Sequence, residues 1–470
     1  MKKKLVVLLS ALLLMMMLAA CQSEEADGDS DEVTLELWNN LASGSTFFPK
    51  LIEEFEADNP GIKIELNNVN VESSDAEYQA AISDNSLPDM FITDAFSMNE
   101  LVDLDLVHEL NSVFPEEAQE EYTDGVFDEG NTRIGDNIYL FPIFKGGTYM
   151  MYYNKAVLDD LGIDTVPETW DELLAVGKEV YEKSDGNTEG LIFGGTSGWL
   201  VDAFVQLMAT ELSPESRMDY VNGEYSFNNE GNIETIEFLK EMLDENALSK
   251  LTLETNSTVA REYFAVGKTA FLIDGNWTGQ LLEDENEFSD WGVVQLPTKN
   301  PDGKQYGEFG VSSNDGMFVS NNTEHWDEVE KFLIFLRDNM YEELVNVGEA
   351  TIAKEFDLVD GEAPFEQITD IQDIFSTMSI QVPNPLAVDP DALDVQLEVL
   401  KNGPDSSPGE ILMGYLTGQV SDLEGELEAY ESAYNKAFDD ALEAHESVTR
   451  EVFQFPDWVP YEPYTGEDHQ

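Results

Sequence analysis

The sequence predicts an α/β protein whose C-terminal part is mainly helical. Alternating patterns typical of strands and spacings typical of helices follow one another from residue 33 to about residue 104. From about residue 322 onward, helical periodicity dominates, and no internal repeat of fixed period is present. A succession of strand, helix and strand is typical of a parallel α/β layer. The 470 residues are enough for two or three such domains.

The N-terminal 20 residues predict a secretory signal peptide. Three lysines precede an apolar run from Leu5 to Ala20, which is too short to be a stable membrane-spanning helix. Cys21 follows directly and is the only cysteine of the chain. Residues 18–21, Leu-Ala-Ala-Cys, resemble the lipobox of bacterial lipoproteins, which implies that Cys21 carries a lipid and that residues 21–32 form an acidic tether. An ordinary signal peptide with an incidental cysteine is the alternative.

The elements after the tether are predicted from the apolar periodicity. An alternating run that starts at Val33 is followed by a helical spacing and by a stop at Asn59-Pro60-Gly61. The patterns predict strands over 33–38, 62–66 and 90–93, and helices over 47–57, 75–83, 97–104, 326–336, 391–401 and 422–446. Thr169 is expected to cap a helix that begins at Trp170, whose side chain is expected to pack on the sheet.

The charge of the chain is strongly negative. It contains 97 acidic and 23 basic residues, which gives a formal net charge of −74 at pH 7. Such self-repulsion destabilises a compact state, and roughly 1 M salt shortens the screening length to about 3 Å. Because the acids are spread along the whole chain, we expect adaptation to saline surroundings; binding of cations or basic partners is the alternative. Nucleic acid is excluded as a partner, since no basic patch exists.

A set of motifs in a fixed order resembles one known family. Residues 134–180 contain Tyr153-Asn154-Lys155 and Thr169-Trp170-Asp171-Glu172, and Leu87-Pro88-Asp89 precedes them. Residues 264–271 with Gly275-Asn276-Trp277 follow, as do residues 411–418. These residues resemble the signature of family 1 extracellular solute-binding proteins, the maltose-binding-like receptors of ABC importers. The resemblance covers nearly all of the chain after the tether.

The resemblance implies a two-lobe, periplasmic-binding-protein-like α/β fold with crossing hinge segments. On this basis the N-terminal lobe is expected over 33–144 plus 312–370 and the C-terminal lobe over 145–311 plus 371–455. A surface tail is expected over 456–470. The first crossing is expected from Lys145 to Tyr149 and the second from Phe309 to Asn314.

The resemblance also implies the function. We expect a receptor anchored to the outer side of the cell membrane by its N-terminal lipid, which captures a carbohydrate, in particular an oligosaccharide, between its lobes. The closed receptor would deliver the ligand to the permease subunits of an ABC importer. A monomer without cofactor or metal is expected.

Candidate ligand-binding residues follow from the same resemblance. Open α/β sheets bind ligands beyond the carboxyl ends of their strands, which selects polar residues that directly follow strands. Trp199 and Trp277 match positions where the family places aromatic platforms under sugar rings. The full set of expected ligand-binding residues is Asn39, Asn40, Asp94, Lys145, Tyr149, Trp199, Asn276, Trp277, Gly310 and Asn314.

Other functions stay open at this point. A tethered carbohydrate-active hydrolase or lyase is the main alternative, because saccharide clefts of enzymes use the same residue types. With 97 acids, a carboxylate pair at any given spacing carries no information. The four histidines are isolated, and no H-E-x-x-H, G-x-S-x-G or Walker-type motif is present. A surface adhesin is conceivable from the anchor alone. We expect a protein that is not an enzyme.

Overall fold

The structure is a computed structural model that describes residues 32–464. Within this range it leaves out residues 42, 71–73, 94–95, 124, 145, 216, 310–315, 350–351, 355–362 and 405. The expected signal peptide, Cys21, the tether up to residue 31, and the candidate residues Asp94, Lys145, Gly310 and Asn314 lie outside the described residues.

The first sheet is built from the N-terminal part of the chain and one later strand. Its order is β2-β1-β3-β14-β6, and β1 runs parallel to both of its neighbours. The two remaining pairs, β3–β14 and β14–β6, are antiparallel. The strands are β1 (Val33–Asn39), β2 (Ile62–Asn68), β3 (Met90–Phe91), β6 (Phe141–Pro142) and β14 (Gly316–Val319).

The second sheet has the order β12-β7-β11-β8. Its central strand pair, β7 and β11, is antiparallel, and β8 joins β11 in parallel. All seven residues of β11 are buried, so this strand forms the middle of the second core. The strands are β7 (Tyr149–Asn154), β8 (Glu189–Ile192), β11 (Thr269–Gly275) and β12 (Trp291–Val294).

Helices cover both sheets. The sequence predicts six of them from their apolar spacing, and all six are confirmed, with bounds that differ by a few residues and with an extension of the helix at Trp326. In chain order the helices are α1 (Gly44–Asp58), α2 (Ser74–Asp84), α3 (Met98–Asp103), α4 (Glu116–Gln119), α5 (Lys155–Leu161), α6 (Trp170–Lys183), α7 (Gly198–Ala209), α8 (Glu230–Asp244), α9 (Ser257–Ala265), α10 (Thr278–Asp284), α11 (Trp326–Val347), α12 (Ile368–Met378), α13 (Pro385–Val388), α14 (Ala392–Asn402), α15 (Pro408–Thr417) and α16 (Leu423–Ala444).

The start of α6 agrees with its prediction. The side chain of Thr169 accepts a hydrogen bond from the backbone N–H of Glu172, which satisfies one of the free donors of the first turn. Trp170 is buried, stacks on Phe238 with ring centroids 4.7 Å apart, and donates from Nε1 to the carbonyl of Pro297. Trp170 therefore has a packing role.

The chain passes between the two sheets at three places. It leaves the first sheet after β6, enters the second with β7, returns before β14, and leaves again between α11 and α12. Near the second of these passages, β13 (Gly307–Phe309) pairs in parallel with β15 (Ser379–Gln381). Two short antiparallel pairs lie outside the main sheets: β4 (Arg133–Ile134) with β5 (Asn137–Ile138), and β9 (Met218–Asp219) with β10 (Glu224–Tyr225). The two sheets lie inside the two predicted lobe ranges, but Ile368 packs with the second core although the prediction assigns it to the first lobe. The exact division stays a prediction.

The C-terminal segment packs on the second lobe. Within its described part, the Tyr461 hydroxyl donates to the carbonyl of Thr210, and Tyr464 is buried next to Phe455. The expected surface tail over 456–470 stays a prediction, but its Tyr464 ring packs against Phe455 instead of facing solvent. Among the described residues, no helix is both long enough and apolar enough to cross a membrane.

Candidate functional site

A cleft of about 530 Å³ lies between the two sheets. Both lobes contribute to it. The first lobe contributes the last residues of β1 and β2 and the residues after them, and the second contributes the start of β7, the residues after β11 and the first turns of α9. Its lining consists of Asn39, Asn40, Leu41, Ser43, Ser45, Asn68, Val69, Asn70, Phe144, Gly146, Gly147, Tyr149, Trp199, Ser257, Thr258, Arg261, Asn276, Trp277, Glu285 and Glu349. The volume is in the range of small-molecule sites.

Side-chain amides form the wall that the first lobe contributes. Asn39 and Asn68 are register partners at the ends of the parallel strands β1 and β2, so their side chains meet. Asn39 Nδ2 donates to Asn68 Oδ1 at 2.8 Å and to the carbonyl of Leu41 at 3.0 Å, and Asn39 Oδ1 accepts from the Leu41 N–H. A Cβ atom on Gly44 would overlap the Asn39 amide, so glycine is required where α1 begins. The Asn39 amide thus bonds both the loop after β1 and the side chain at the end of β2.

Aromatic rings form the opposing wall from the second lobe. Trp277 follows β11, and its ring centroid lies 5.8 Å from that of Trp199. The rings of Tyr149 and Trp277 form an edge-to-face pair with centroids 6.0 Å apart. Trp199 is 39% exposed although it is a large apolar side chain. An indole that is left open next to a second indole is typical of a surface that binds a ligand.

Glycines give the Trp277 ring its position. A Cβ atom on Gly275 would overlap the ring, and one on Gly147 would approach it to 3.1 Å. The carbonyl of Gly275 is held in turn by the hydroxyl of Tyr152 at 2.8 Å. Burial raises the pKa of Tyr152, so its hydroxyl keeps the proton that it donates. These contacts fix the position of the Trp277 ring, which together with Trp199 we call the indole platform.

Asn276 connects the platform to the first crossing segment. The side-chain Oδ1 of Asn276 accepts from the backbone N–H of Thr148 at 2.9 Å, and the backbone N–H of Asn276 donates to the Thr148 carbonyl at 3.1 Å. These two bonds tie the end of β11 to the residue before β7. Asn276 is 2% exposed.

A buried ion pair lies behind the same wall. Arg261 in α9 donates from Nη1 to Asp274 Oδ2 at 2.8 Å and from Nη2 to the Thr258 hydroxyl at 3.2 Å. The other carboxylate oxygen of Asp274 accepts from the Gly275 N–H at 2.9 Å. Arg261 lines the cleft, and Asp274 is fully buried. The neighbour of Asp274 in the chain is Gly275, against which the Trp277 ring packs. The pair therefore couples α9 to the platform.

The rim of the cleft carries a contact between the lobes. The Ser45 hydroxyl, in the first turn of α1, donates to Glu285 Oε1 at 3.3 Å. Glu285 directly follows α10, the helix that begins after Trp277. The backbone N–H groups of the first turn of α1 attract negative charge, and that turn contains no acidic residue of its own.

The six candidate residues that the structure describes all line this cleft. They are Asn39, Asn40, Tyr149, Trp199, Asn276 and Trp277. Asn68, the last residue of β2, and Asn70, two residues further on, were not among the candidates, although the strand-end rule selects them. Ser257, Thr258 and Arg261 were not among the candidates either, because they lie on a helix, to which that rule does not apply. Phe144 and Gly146, the neighbours of Lys145, line the cleft as well.

Comparison with known proteins gives a family match over most of the described chain. The family model of the bacterial extracellular solute-binding proteins matches residues 38–343. The multiple sugar-binding protein of Streptococcus mutans is 22% identical over 340 residues, which are 67% of this chain and 74% of that protein. The melibiose/raffinose/stachyose-binding protein of Bacillus subtilis is 24% identical over 301 residues, 60% of this chain and 65% of its relative.

Solved structures have the same fold. The maltose/maltodextrin-binding domain of Bdellovibrio bacteriovorus bound to maltotriose superposes with a TM-score of 0.63 at 19% identity. The match covers 88% of this chain and 100% of that domain. The two-lobe α/β architecture expected from the sequence motifs is thereby confirmed.

Proposed function

Because this chain belongs to the family of bacterial extracellular solute-binding proteins, we propose that it is a receptor that captures an oligosaccharide in the cleft between its lobes. In this proposal the ligand stacks on Trp277 and Trp199 and donates and accepts hydrogen bonds at the amide wall opposite. Two relatives favour this ligand class. One is named as a multiple sugar-binding protein, and the other as a binding protein for melibiose, raffinose and stachyose.

The aromatic group of Trp277, Trp199 and Tyr149 is the observation that carries the proposal. A pyranose ring has an apolar face that packs on an indole and a rim of hydroxyls that needs polar partners. Asn40, Asn68 and Asn70 offer such partners in the same cleft. Asn39 and Asn276 have a supporting role, because their amides already hold the loops that carry the contact residues. Asp94, Lys145, Gly310 and Asn314 stay candidate contacts.

We propose binding without turnover. The relatives found are solute-binding proteins, and the described residues contain no group of three or more metal-ligating side chains. Amides, hydroxyls, aromatic rings and the Arg261 guanidinium line most of the cleft, together with two carboxylates, Glu285 and Glu349. Glu285 accepts a hydrogen bond from the Ser45 hydroxyl, and the Asp274 carboxylate next to the cleft is engaged by Arg261 and by a backbone N–H. These contacts favour retention of a sugar over attack on its glycosidic bond.

The ligand acts by drawing the lobes together. It favours the closed state only through contacts that the open state lacks, so a ligand that touches both the amide wall and the indoles shifts the equilibrium. We propose that the permease subunits of an ABC importer bind this closed state. A lipid on Cys21 would keep the receptor at the outer surface of the membrane.

A thermal-shift screen tests the proposed function. The protein without residues 1–21 is melted at high salt with monosaccharides, maltooligosaccharides, raffinose, stachyose, polyols and glycerol phosphates. A ligand that binds only the native state raises the melting temperature by mass action. A saccharide that raises it and is recovered unchanged supports the receptor. Conversion of the saccharide to products indicates the hydrolase or lyase, and the absence of any saccharide effect contradicts the proposal.

A further inference from the structure

A second cavity, of about 210 Å³, lies along α7 in the second lobe. Residues of α7, of the segment 217–232, of the start of α15 and of α16 line it. The two cavities have no lining residue in common. They share only the helix α7, whose second residue, Trp199, lines the main cleft. The cavity therefore needs an explanation of its own.

One face of α7 connects the two cavities. Asp202 and Gln206 line the second cavity, and they follow Trp199 by three and seven positions. Residues at these spacings lie on the same side of a helix. At 1.5 Å per residue, Gln206 is about 10 Å further along the helix axis than Trp199. The two cavities therefore border the same face of α7, about two helical turns apart.

Three tyrosines give the cavity an aromatic wall with polar tips. Tyr434 lies 4.6 Å from Tyr225 and 5.8 Å from Tyr430, measured between ring centroids. The phenol hydroxyls of these three residues have no hydrogen-bond partner within the described part of the chain. Burial raises the pKa of Tyr430 and Tyr434, so both hydroxyls stay protonated and can donate as well as accept.

Two opposite charges complete the lining. The Asp202 carboxylate accepts from the Gly409 N–H at the start of α15. The Arg217 guanidinium donates from Nε to Gln206 Oε1, and its two terminal nitrogens have no partner among the residues that the structure describes. Because Asp202 and Arg217 offset each other, the cavity favours an uncharged, hydroxylated molecule over an anion or a cation.

We infer that this cavity is a distal saccharide subsite, which receives the end of an oligosaccharide whose other units occupy the main cleft. The inference rests on the proposed function and specifies its ligand: an uncharged oligosaccharide longer than a disaccharide. Arg217 and the phenols of Tyr430 and Tyr434 contact the distal unit. Short saccharides fill the cleft alone and bind more weakly.

Affinity as a function of ligand length tests the subsite. Calorimetric titrations compare maltose through maltoheptaose, and melibiose, raffinose and stachyose, on four proteins. These are the wild type, Arg217→Ala, the double variant Tyr430→Phe with Tyr434→Phe, and the control Tyr263→Phe. Tyr263 lines neither cavity. The phenylalanine variants keep the aromatic packing and remove only hydroxyls, so they separate recognition from folding.

We expect the wild-type affinity to rise with length in the series that binds. Both subsite variants should lose about tenfold for the longest ligand, as expected for the loss of one or two hydrogen bonds, and should bind the disaccharide as the wild type does. A wild-type affinity that is independent of length overturns the subsite, and so does an equal loss for disaccharide and long ligand. Both outcomes leave the proposed function intact. If no saccharide binds the wild type, the proposed function itself fails, and the subsite with it.

Discussion

The Arg261 guanidinium donates to the Asp274 carboxylate at 2.8 Å behind the cleft wall, and the two side chains are only 6% and 0% exposed. Asp274 also accepts from the N–H of Gly275, the residue over which the Trp277 ring lies. An ion pair that is withdrawn from water in this way depends on both of its members. It therefore links the stability of the second lobe to the position of the indole platform.

We predict that Asp274→Ala destabilises the protein by about 3–5 kcal/mol, because the variant leaves the Arg261 charge buried without its partner. The free energy of unfolding is measured by denaturant titration. The matched control is Asp440→Ala, which removes the exposed pair of Asp440 with Lys436 and should leave the unfolding midpoint nearly unchanged. Equal midpoints for Asp274→Ala and the wild type would show that the buried pair is not needed.

The platform should also be sensitive to a single methyl group. Gly275→Ala places a Cβ atom where the Trp277 ring lies, so the ring has to move. We expect at least a tenfold loss of saccharide affinity, measured by calorimetry, since a displaced indole no longer stacks on the sugar. Gly198→Ala is the control, because a Cβ atom there meets nothing within 4 Å. Wild-type affinity in Gly275→Ala would mean that the ligand does not rest on Trp277.

Salt should stabilise the protein. With a formal net charge of −74, the native state repels itself, and screening relieves this repulsion. We expect the melting temperature to rise as NaCl increases from about 0.01 M to about 1 M, the range over which the screening length falls from roughly 30 Å to 3 Å. A melting temperature that does not change across this series would argue against adaptation to saline surroundings.

The proposed lipid anchor gives a prediction about location. Expressed with its complete N-terminus in a bacterial host that processes lipoproteins, the wild type should fractionate with membranes and incorporate labelled fatty acid. Cys21→Ser removes the only thiol of the chain, so this variant should carry no label and be recovered from the soluble fraction. Membrane association of Cys21→Ser at the wild-type level would contradict attachment through Cys21.

Much of the fold can be predicted from local patterns. The strand at Val33, the helix after it and the strand at Ile62 each have a clear apolar period, and Thr169 caps α6 as its sequence indicates. The packing of Ile368 with the second core and the burial of Tyr464 could not be predicted. Both depend on contacts between residues far apart in the sequence, which periodicity does not encode.

Some residues of the candidate site can likewise be predicted from local sequence patterns, and others depend on long-range contacts. Residues that directly follow strands, such as Asn40 and Trp277, can be found because strand ends meet at one edge of a sheet. Arg261 enters the cleft from the side of a helix, and Glu285 from the end of another, so neither has a signal in the local sequence. The scarcity of basic residues could have drawn attention to Arg261, but only the structure pairs it with Asp274.

Calorimetric titration of the wild type and of Trp277→Ala with the saccharide selected by the thermal-shift screen tests the central claim most directly. We expect the variant to lose about 30-fold or more in affinity, corresponding to roughly 2 kcal/mol, because the indole supplies the main apolar contact. Trp458→Ala, in the C-terminal segment where the ring packs on Tyr220, should bind as the wild type does. If Trp277→Ala retains wild-type affinity while Trp458→Ala also binds normally, the ligand does not occupy this cleft in the proposed way.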